Sequence, residues 1–389
     1  MITRLTAPAA FALLLLAAVA HAADSAPRAR DLGVPFDGKP GALNAITDVA
    51  GITVGHTTLI SSAGPDHEVR TGVTAILPRG KDSLDKPVFA GWFALNGNGE
   101  MTGTAWIDES GQLEGPVMLT NTHSVGVVRD AVIDWRIRQG HADPSGFWWS
   151  LPVVAETYDG YLNDVNGFHV RPEHARAALD SARSGPVAEG NVGGGTGMIC
   201  HEFKCGIGTA SRLVTVDKQA YTIGVLVQAN YGRRDTLRIA GVPVGREIRM
   251  HRVWSEHDPD HGDMGSIIIV VATDAPLLPH QLKRLARRAA LGLARNGSYA
   301  GNGSGDLFVA FSTANAAAAA DAPLNTASFI GNDSLDPVFL GTVEASEEAI
   351  INAMVAARDM KGQNGRYAIA IPHEQLRSVL KRYDRLVTP

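Results

Sequence analysis

The amino-acid sequence predicts an α+β fold in which packed sheets are flanked by helices. Six stretches read as strands and three as amphipathic helices. Several of the strands follow one another with no helix between, which does not fit a strict βαβ repeat. The chain has 389 residues and is 45% hydrophobic, which suits one large domain with a sizeable core.

The strand signals are β-branched or aromatic runs closed by turn residues: "VTAILP" (73–78), "PVFAGWFAL" (87–95), "PVMLTNT" (116–122), "YTIGVLVQAN" (221–230), "SIIIVVAT" (266–273) and "DLFVAFST" (306–313). The helix signals are periodic. In "VGVVRDAVIDWRIRQG", Val128, Ala131, Val132 and Trp135 fall on one face. "PHQLKRLARRAALGLARNG" has Pro279 in its first turn, turns Leu282, Leu285, Ala289 and Leu293 inward, and ends at Gly297. "SEEAIINAMVAARDMKG" is expected to start at a Ser346 cap with two glutamates in its first turn. "ANAAAAADAPLN" (314–325) reads as a surface excursion, and no internal repeat is found.

The formal net charge of -5 argues against a nucleic-acid surface. The one basic cluster, "KRLARR", fits the polar face of an amphipathic helix. The first residues read as a secretory signal: Arg4, an apolar run over 9–20, and the small-x-small site Ala20-His21-Ala22. A mature chain starting near Ala23 and exported to a periplasm is therefore expected, with no membrane span in it. Cys200 and Cys205 would then meet an oxidising compartment. "CHEFKC" is too sparse for a zinc site, which leaves a local disulfide or two buried thiols.

The chemistry starts from Ser266, a hydroxyl placed directly after Gly265 at the head of an apolar strand. A serine hydroxyl needs a base. No histidine sits in a serine-hydrolase motif. "GxSxG" is absent, since "NGSGD" around Ser304 has Asn302 and Asp306 where glycines belong. The "SxxK" at Ser83 to Lys86 is followed by Pro87 and reads as a loop. A base does appear if the chain breaks between Gly265 and Ser266, because the freed α-amine has a pKa of roughly 8 and is held beside its own hydroxyl. Gly265 leaves the scissile carbonyl open.

"GNVGGGTG" lacks the Lys-Ser/Thr of a phosphate loop and reads as a tight turn near the site, with no nucleotide. "SEHDPDHGD" (255–263) has no metal-ligand spacing and reads as the solvated linker that a self-cleaving chain needs. No metal or other cofactor is expected.

Eight strings occur in order: "NAITDVAGITVGH", "NGNGEMTG", "LTNTHSVGVVRD", "AETYDGYLND", "GNVGGGTGM", "VLVQANYG", "GSIIIVVATDAPL" and "GNGSGDLFVAFST". Through them nearly the whole mature chain resembles the L-aminopeptidase/D-alanine esterase-amidase family, which includes the bacterial β-aminopeptidases. The resemblance implies a four-layer αββα sandwich of the N-terminal-nucleophile type and self-cleavage into chains 23–265 and 266–389 of one domain. It implies release of amino-terminal residues from small peptides, amides or esters by Ser266, and a homo-oligomer of processed αβ units. It places Ser304 and Asp306 beside the nucleophile, Asn230 in the oxyanion hole and Tyr158 in the same pocket. The family's acid can also be glutamate; Asp306 is one methylene shorter. Because the family cuts beside a free amino terminus, an ammonium-binding group is needed. Glu156, two residues from Tyr158, would share its face if "LPVVAETY" is extended; the alternative is a turn cap or a pair with an arginine. Two other classes remain: a related acyltransferase, whose nucleophile is threonine, and a non-catalytic exported binding protein of the same fold.

Overall fold

The computed structural model describes residues 27–388 apart from 65, 82–85, 141–148, 255–261 and 320–321. The expected signal segment, Ser83 and all but the last two residues of "SEHDPDHGD" lie outside the described residues.

The chain runs through β1 (Thr53–Ser62), β2 (Glu68–Lys81), β3 (Val88–Ala94), α1 (Thr104–Ser110), β4 (Gln112–Leu113), β5 (Val117–Asn121), α2 (Val125–Arg138), β6 (Val153–Thr157) and α3 (Pro172–Asp180). There follow the short hairpin β7 (Ile199–Cys200) and β8 (Phe203–Lys204), the long pair β9 (Ile207–Val216) and β10 (Gln219–Asn230), and α4 (Val244–Glu247). The last part holds β11 (Ser266–Thr273), α5 (Pro279–Arg295), β12 (Gly305–Ser312), α6 (Asp336–Val355), the hairpin β13 (Met360–Lys361) and β14 (Tyr367–Ala368), and α7 (His373–Arg382).

Two sheets lie face to face between helices. The four-stranded sheet has the order β1-β2-β5-β6 and the six-stranded sheet β4-β3-β12-β11-β10-β9. The apolar run of β11 shows why. Ile267, Ile269 and Val271 pack with Leu282, Leu285 and Ala289 of α5 and with Ala349 and Ile350 of α6. The alternate residues Ile268, Val270 and Ala272 pack with Val117, Leu119, Val153 and Ala155 of the other sheet. A strand buried on both faces is therefore apolar at every position. On the outside of the four-stranded sheet, Val128, Ala131, Val132 and Trp135 of α2 cover Val73, Ala75, Met118 and Val154. The layers are α, β, β, α, as the resemblance implied.

β11 and β12 run parallel and sit as a pair between β10 and β3. The two long strands that follow the Gly265–Ser266 bond are thus built into the middle of the larger sheet.

One helix boundary departs from expectation. α6 begins at Asp336, with a proline in its first turn, and Ser346 lies in its middle instead of capping it. The helix extends backwards because its apolar segment packs on the six-stranded sheet and on α5. At the α5–α6 crossing, a Cβ on Gly292 would stand 2.6 Å from Ser346 Cβ, so only glycine allows the approach. Glu348 is not a first-turn residue either. It is fully buried and paired with Arg212 at 2.8 Å and Arg30 at 2.7 Å. Among the described residues, no helix is long and apolar enough to cross a membrane.

Candidate active site

Sheet register brings the expected residues together. Ser266, the first residue of β11, lies opposite Asn230, the last of β10, and beside Gly305, the first of β12. Ser266 keeps step with Ile268 and Asn230 with Leu226, both of which face the second sheet. Side chains two apart on a strand share a face, so Ser266 and Asn230 project together at one end of the intersheet layer. Both are buried.

Asn230 Oδ1 accepts a hydrogen bond from the Ile199 N–H at 2.8 Å. With its oxygen so engaged, the amide presents its NH2 as the free donor. Ile199 opens the β7–β8 hairpin, which a Cys200–Cys205 disulfide closes. Of the two states left open for these cysteines, the structure has the bonded one. His201 and Glu202 form the turn with positive φ angles of 48° and 62°. Arg234 ties the hairpin down, donating from Nε to His201 O at 2.9 Å and from Nη2 to Glu202 O at 2.7 Å. His201 is fully buried, and burial lowers its pKa to about 4, so it stays neutral.

Ser304 donates from Oγ to Asp306 Oδ1 at 2.7 Å. Sequence reasoning gives Asn96 no role, although it opens the "NGNGEMTG" string. Its amide donates to Asp306 Oδ2 at 3.1 Å, and its oxygen accepts from the Asp306 N–H at 2.6 Å. Burial raises the Asp306 pKa to about 6; the Ser304 hydrogen bond opposes this, and the nearby Asp263 charge adds to it. Tyr231, beside Asn230, is fully buried, its hydroxyl has no hydrogen-bond partner among the described residues, and burial followed by the charges of Asp306 and Asp263 holds its pKa well above the usual value.

A pocket opens beside Ser266. Its lining includes Tyr158, Tyr161, Ile199, Asn230, Trp254 and Gly265. Tyr158 and Asn230 thus line one pocket. Glu156 does not line this pocket with Tyr158, because β6 ends at Thr157 and the two-residue alternation stops there. The Glu156 carboxylate turns toward the loop after β3, accepting from the Glu100 N–H at 3.0 Å and from the Thr122 hydroxyl. It is still close to the strand ends. A Cβ on Gly99 would come 3.4 Å from Glu156 Oε1 and 3.1 Å from Gly305 Cα. Burial raises the Glu156 pKa, against the lowering effect of those two hydrogen bonds.

"GNVGGGTG" is a tight turn, as expected. Gly194 and Gly197 would each place a Cβ within 2.3 Å of another residue, Gln228 and Arg70 respectively. The turn leads directly into Ile199.

A layered αββα protein with a serine, an asparagine and a Ser–Asp pair at the ends of adjacent central strands is a hydrolase of the Ntn type. The comparisons agree. The model of Peptidase family S58 matches residues 44–368, and the chain belongs to this family. It is 55% identical over 397 aligned residues to a β-peptidyl aminopeptidase of Sphingosinicella microcystinivorans, covering 97% of this chain and 98% of that one. Among solved structures it is similar to the L-aminopeptidase D-Ala-esterase/amidase of Ochrobactrum anthropi, described as a prototype of the serine aminopeptidases and a variant of the Ntn hydrolase fold. The TM-score is 0.87 and the identity 51%, with 93% of this chain and 100% of that one covered. A Burkholderia β-aminopeptidase gives a TM-score of 0.83 at 48% identity, covering 92% and 99%. The protein is thus a hydrolase of the aminopeptidase class.

Proposed function

We propose that this chain is an exported aminopeptidase that activates itself by cutting the Gly265–Ser266 bond. The observation that carries the reading is the register of Ser266 against Asn230 and Gly305 at the head of a buried strand. In the uncut chain the Ser266 hydroxyl attacks the Gly265 carbonyl carbon. The new C–Oγ bond forms, the C–N bond breaks, and the hydroxyl proton ends on the Ser266 amine. Water then adds to the ester and the C–Oγ bond breaks, leaving a Gly265 carboxylate and a free Ser266.

The freed amine is the base for turnover, taking the hydroxyl proton as Ser266 attacks the substrate carbonyl. The Asn230 amide donates to the oxygen on which charge develops. Ser304, held by Asp306, steadies charge on the Ser266 amine. Water resolves the acyl-enzyme. Glu156 pairs with the substrate ammonium and Tyr158 lines the acyl pocket. Because relatives with about half of their residues in common are named β-peptidyl aminopeptidases, short peptides and amides with an amino-terminal β-residue are the first substrates to test. The disulfide supports export into an oxidising compartment.

The test is a denaturing gel with N-terminal sequencing. The purified protein is expected as two chains, the shorter beginning SIIIVVATD, and Ser266→Ala as one inactive chain. Splitting of Ser266→Ala at the same bond would assign the cut to another protease and end the self-cleavage reading.

A further inference from the structure

The segment ahead of the scissile bond is threaded between two glycine-rich walls. On one side runs the chain from Asn230 to Gly232, on the other the loop from Gly301 to Gly305. A Cβ on Gly265 would stand 2.2 Å from Asn230 O and 2.4 Å from Tyr231 Cα. A Cβ on Gly301 would stand 2.5 Å from Asp263 Cβ, and one on Gly303 would be 3.0 Å from Met264 Cγ. The Gly265 carbonyl accepts from the Gly305 N–H at 3.1 Å. The glycine wall is itself braced, since Asn98 donates to Gly303 O at 2.8 Å and Asn96 to Gly301 O at 3.3 Å.

One side chain spans both walls. Asp263 is buried, with Oδ1 accepting from the Gly232 N–H at 3.0 Å and Oδ2 from the Gly301 N–H at 3.4 Å. A carboxylate shared between two backbone donors fixes direction as well as distance.

We propose that Asp263 is a positioning residue for self-cleavage: its carboxylate lashes the segment ahead of the cut to both walls, so that the Gly265 carbonyl is held for attack by the Ser266 hydroxyl. The inference rests on the self-cleavage reading and adds a residue to it. Asp263 touches neither reacting atom. It acts by removing the freedom of the chain that carries the carbonyl, which is where an intramolecular acyl shift gains or loses its rate. It also gives a reason for the spacing of "GNGSGD": Gly301 and Gly303 are small because Asp263 and Met264 lie against them.

The experiment follows cleavage during cell-free synthesis of the full chain under oxidising conditions, by gel, for the wild type, Asp263→Ala, Asp263→Asn and Gly301→Ala. The wild type is expected to split. Asp263→Ala is expected to split at least roughly tenfold more slowly. Asp263→Asn, which keeps one acceptor, should fall between, and Gly301→Ala should be slowed because it pushes on Asp263. Melting of uncut Ser266→Ala with and without Asp263→Ala separates positioning from folding: the second change should leave a cooperative transition. Turnover per cut molecule should fall by less than the cleavage rate does. If Asp263→Ala folds and cuts at the wild-type rate, Asp263 has no such role, although self-cleavage stands. Asp263 equally loses the role if turnover per cut molecule falls as far as cleavage, or if the double variant loses its cooperative transition. If the wild type stays one chain, self-cleavage itself is wrong.

Discussion

Lowering the pH from 6.5 to 4.5 should silence the enzyme without unfolding it. Asp306 is the reason for the first half. It has a pKa of about 6 in the folded chain, so by pH 5 about a tenth of it remains a carboxylate. In the proposed mechanism the proton removes the charge that orients Ser304 and supports the Ser266 amine, and kcat/KM should lose about tenfold per pH unit below 6 from this group alone. The second half comes from the sum over buried groups. Asp306 and the fully buried Asp159 both rise from 3.8 to about 6, chiefly by burial. The folded state therefore takes up their protons first, and each adds stability as pH falls from about 6 to about 4, of order 3 kcal/mol when complete. His201 runs the other way. Its pKa drops from 6.5 to about 4, so the unfolded chain is protonated first. Over the same window stability falls by a similar amount of about 3 kcal/mol. His56 has the same sign and the same shift, from 6.5 to about 4 by burial, and so loses a similar amount of about 3 kcal/mol. The gains and losses nearly cancel. The carboxylates whose pKa is lowered by ion pairs, such as Glu348 beside Arg30 and Arg212, give up stability only below their unfolded value of 4.5. The assay is kcat/KM and melting temperature measured on the same samples from pH 4.5 to 8. Asp306→Asn, slow at every pH, should show a log profile one unit shallower below pH 6. If Asp306→Asn keeps the break at pH 6, the titrating group is not Asp306. If melting and activity collapse together, the buried groups do not cancel.

Three further outcomes are expected. Asn230→Ala should fold and lower turnover by roughly 100-fold, measured on the cut enzyme, as for other oxyanion donors; unchanged turnover would strip Asn230 of that role. Replacing Cys200 and Cys205 together by serine should cost about 2 kcal/mol in urea titrations, the loop-entropy value for so short a separation, five residues, and should also lower kcat because Ile199 then holds Asn230 less firmly; equal kcat would separate the hairpin from the chemistry. Glu156→Gln should raise KM for peptides with a free amino terminus, and N-acetylated substrates should resist cleavage; acetylated peptides cut as fast as free ones would remove the ammonium site.

The central strands are legible in the sequence because burial on both faces leaves only apolar residues, and "SIIIVVAT" coincides with β11 to the residue. The proposed catalytic cluster is legible in part, since Ser266, Asn230, Ser304 and Asp306 each sit at or beside a strand end that the β-branched runs mark. Asn96 and Asp263 are not. Each acts through groups hundreds or tens of residues away, with the Asn96–Asp306 contact spanning 210 positions, and no local pattern encodes such a meeting. The start of α6 is hidden because a capping serine and a buried mid-helix serine look alike until the neighbouring Gly292 is seen. β1, β6 and β9 give no clear signal. β1 and β9 are edge strands with mixed burial along their length, which blurs the alternation that would announce them.

The place of β11 and β12 between β10 and β3 has a consequence for how the enzyme ages. A chain severed before β11 keeps both ladders intact, so the nick changes nothing that a static view would register. Refolding is another matter. The uncut polypeptide brings its central strands together as a unimolecular search, at the high effective concentration that a covalent tether provides. Two severed pieces must find each other in solution; the first exposes a sheet with its middle missing and the second the bare middle pair, each an open template for aggregation. On the proposed self-cleavage, activation therefore removes the route back: the cut enzyme would persist by the slowness of its unfolding, and one excursion to the unfolded state would end its life.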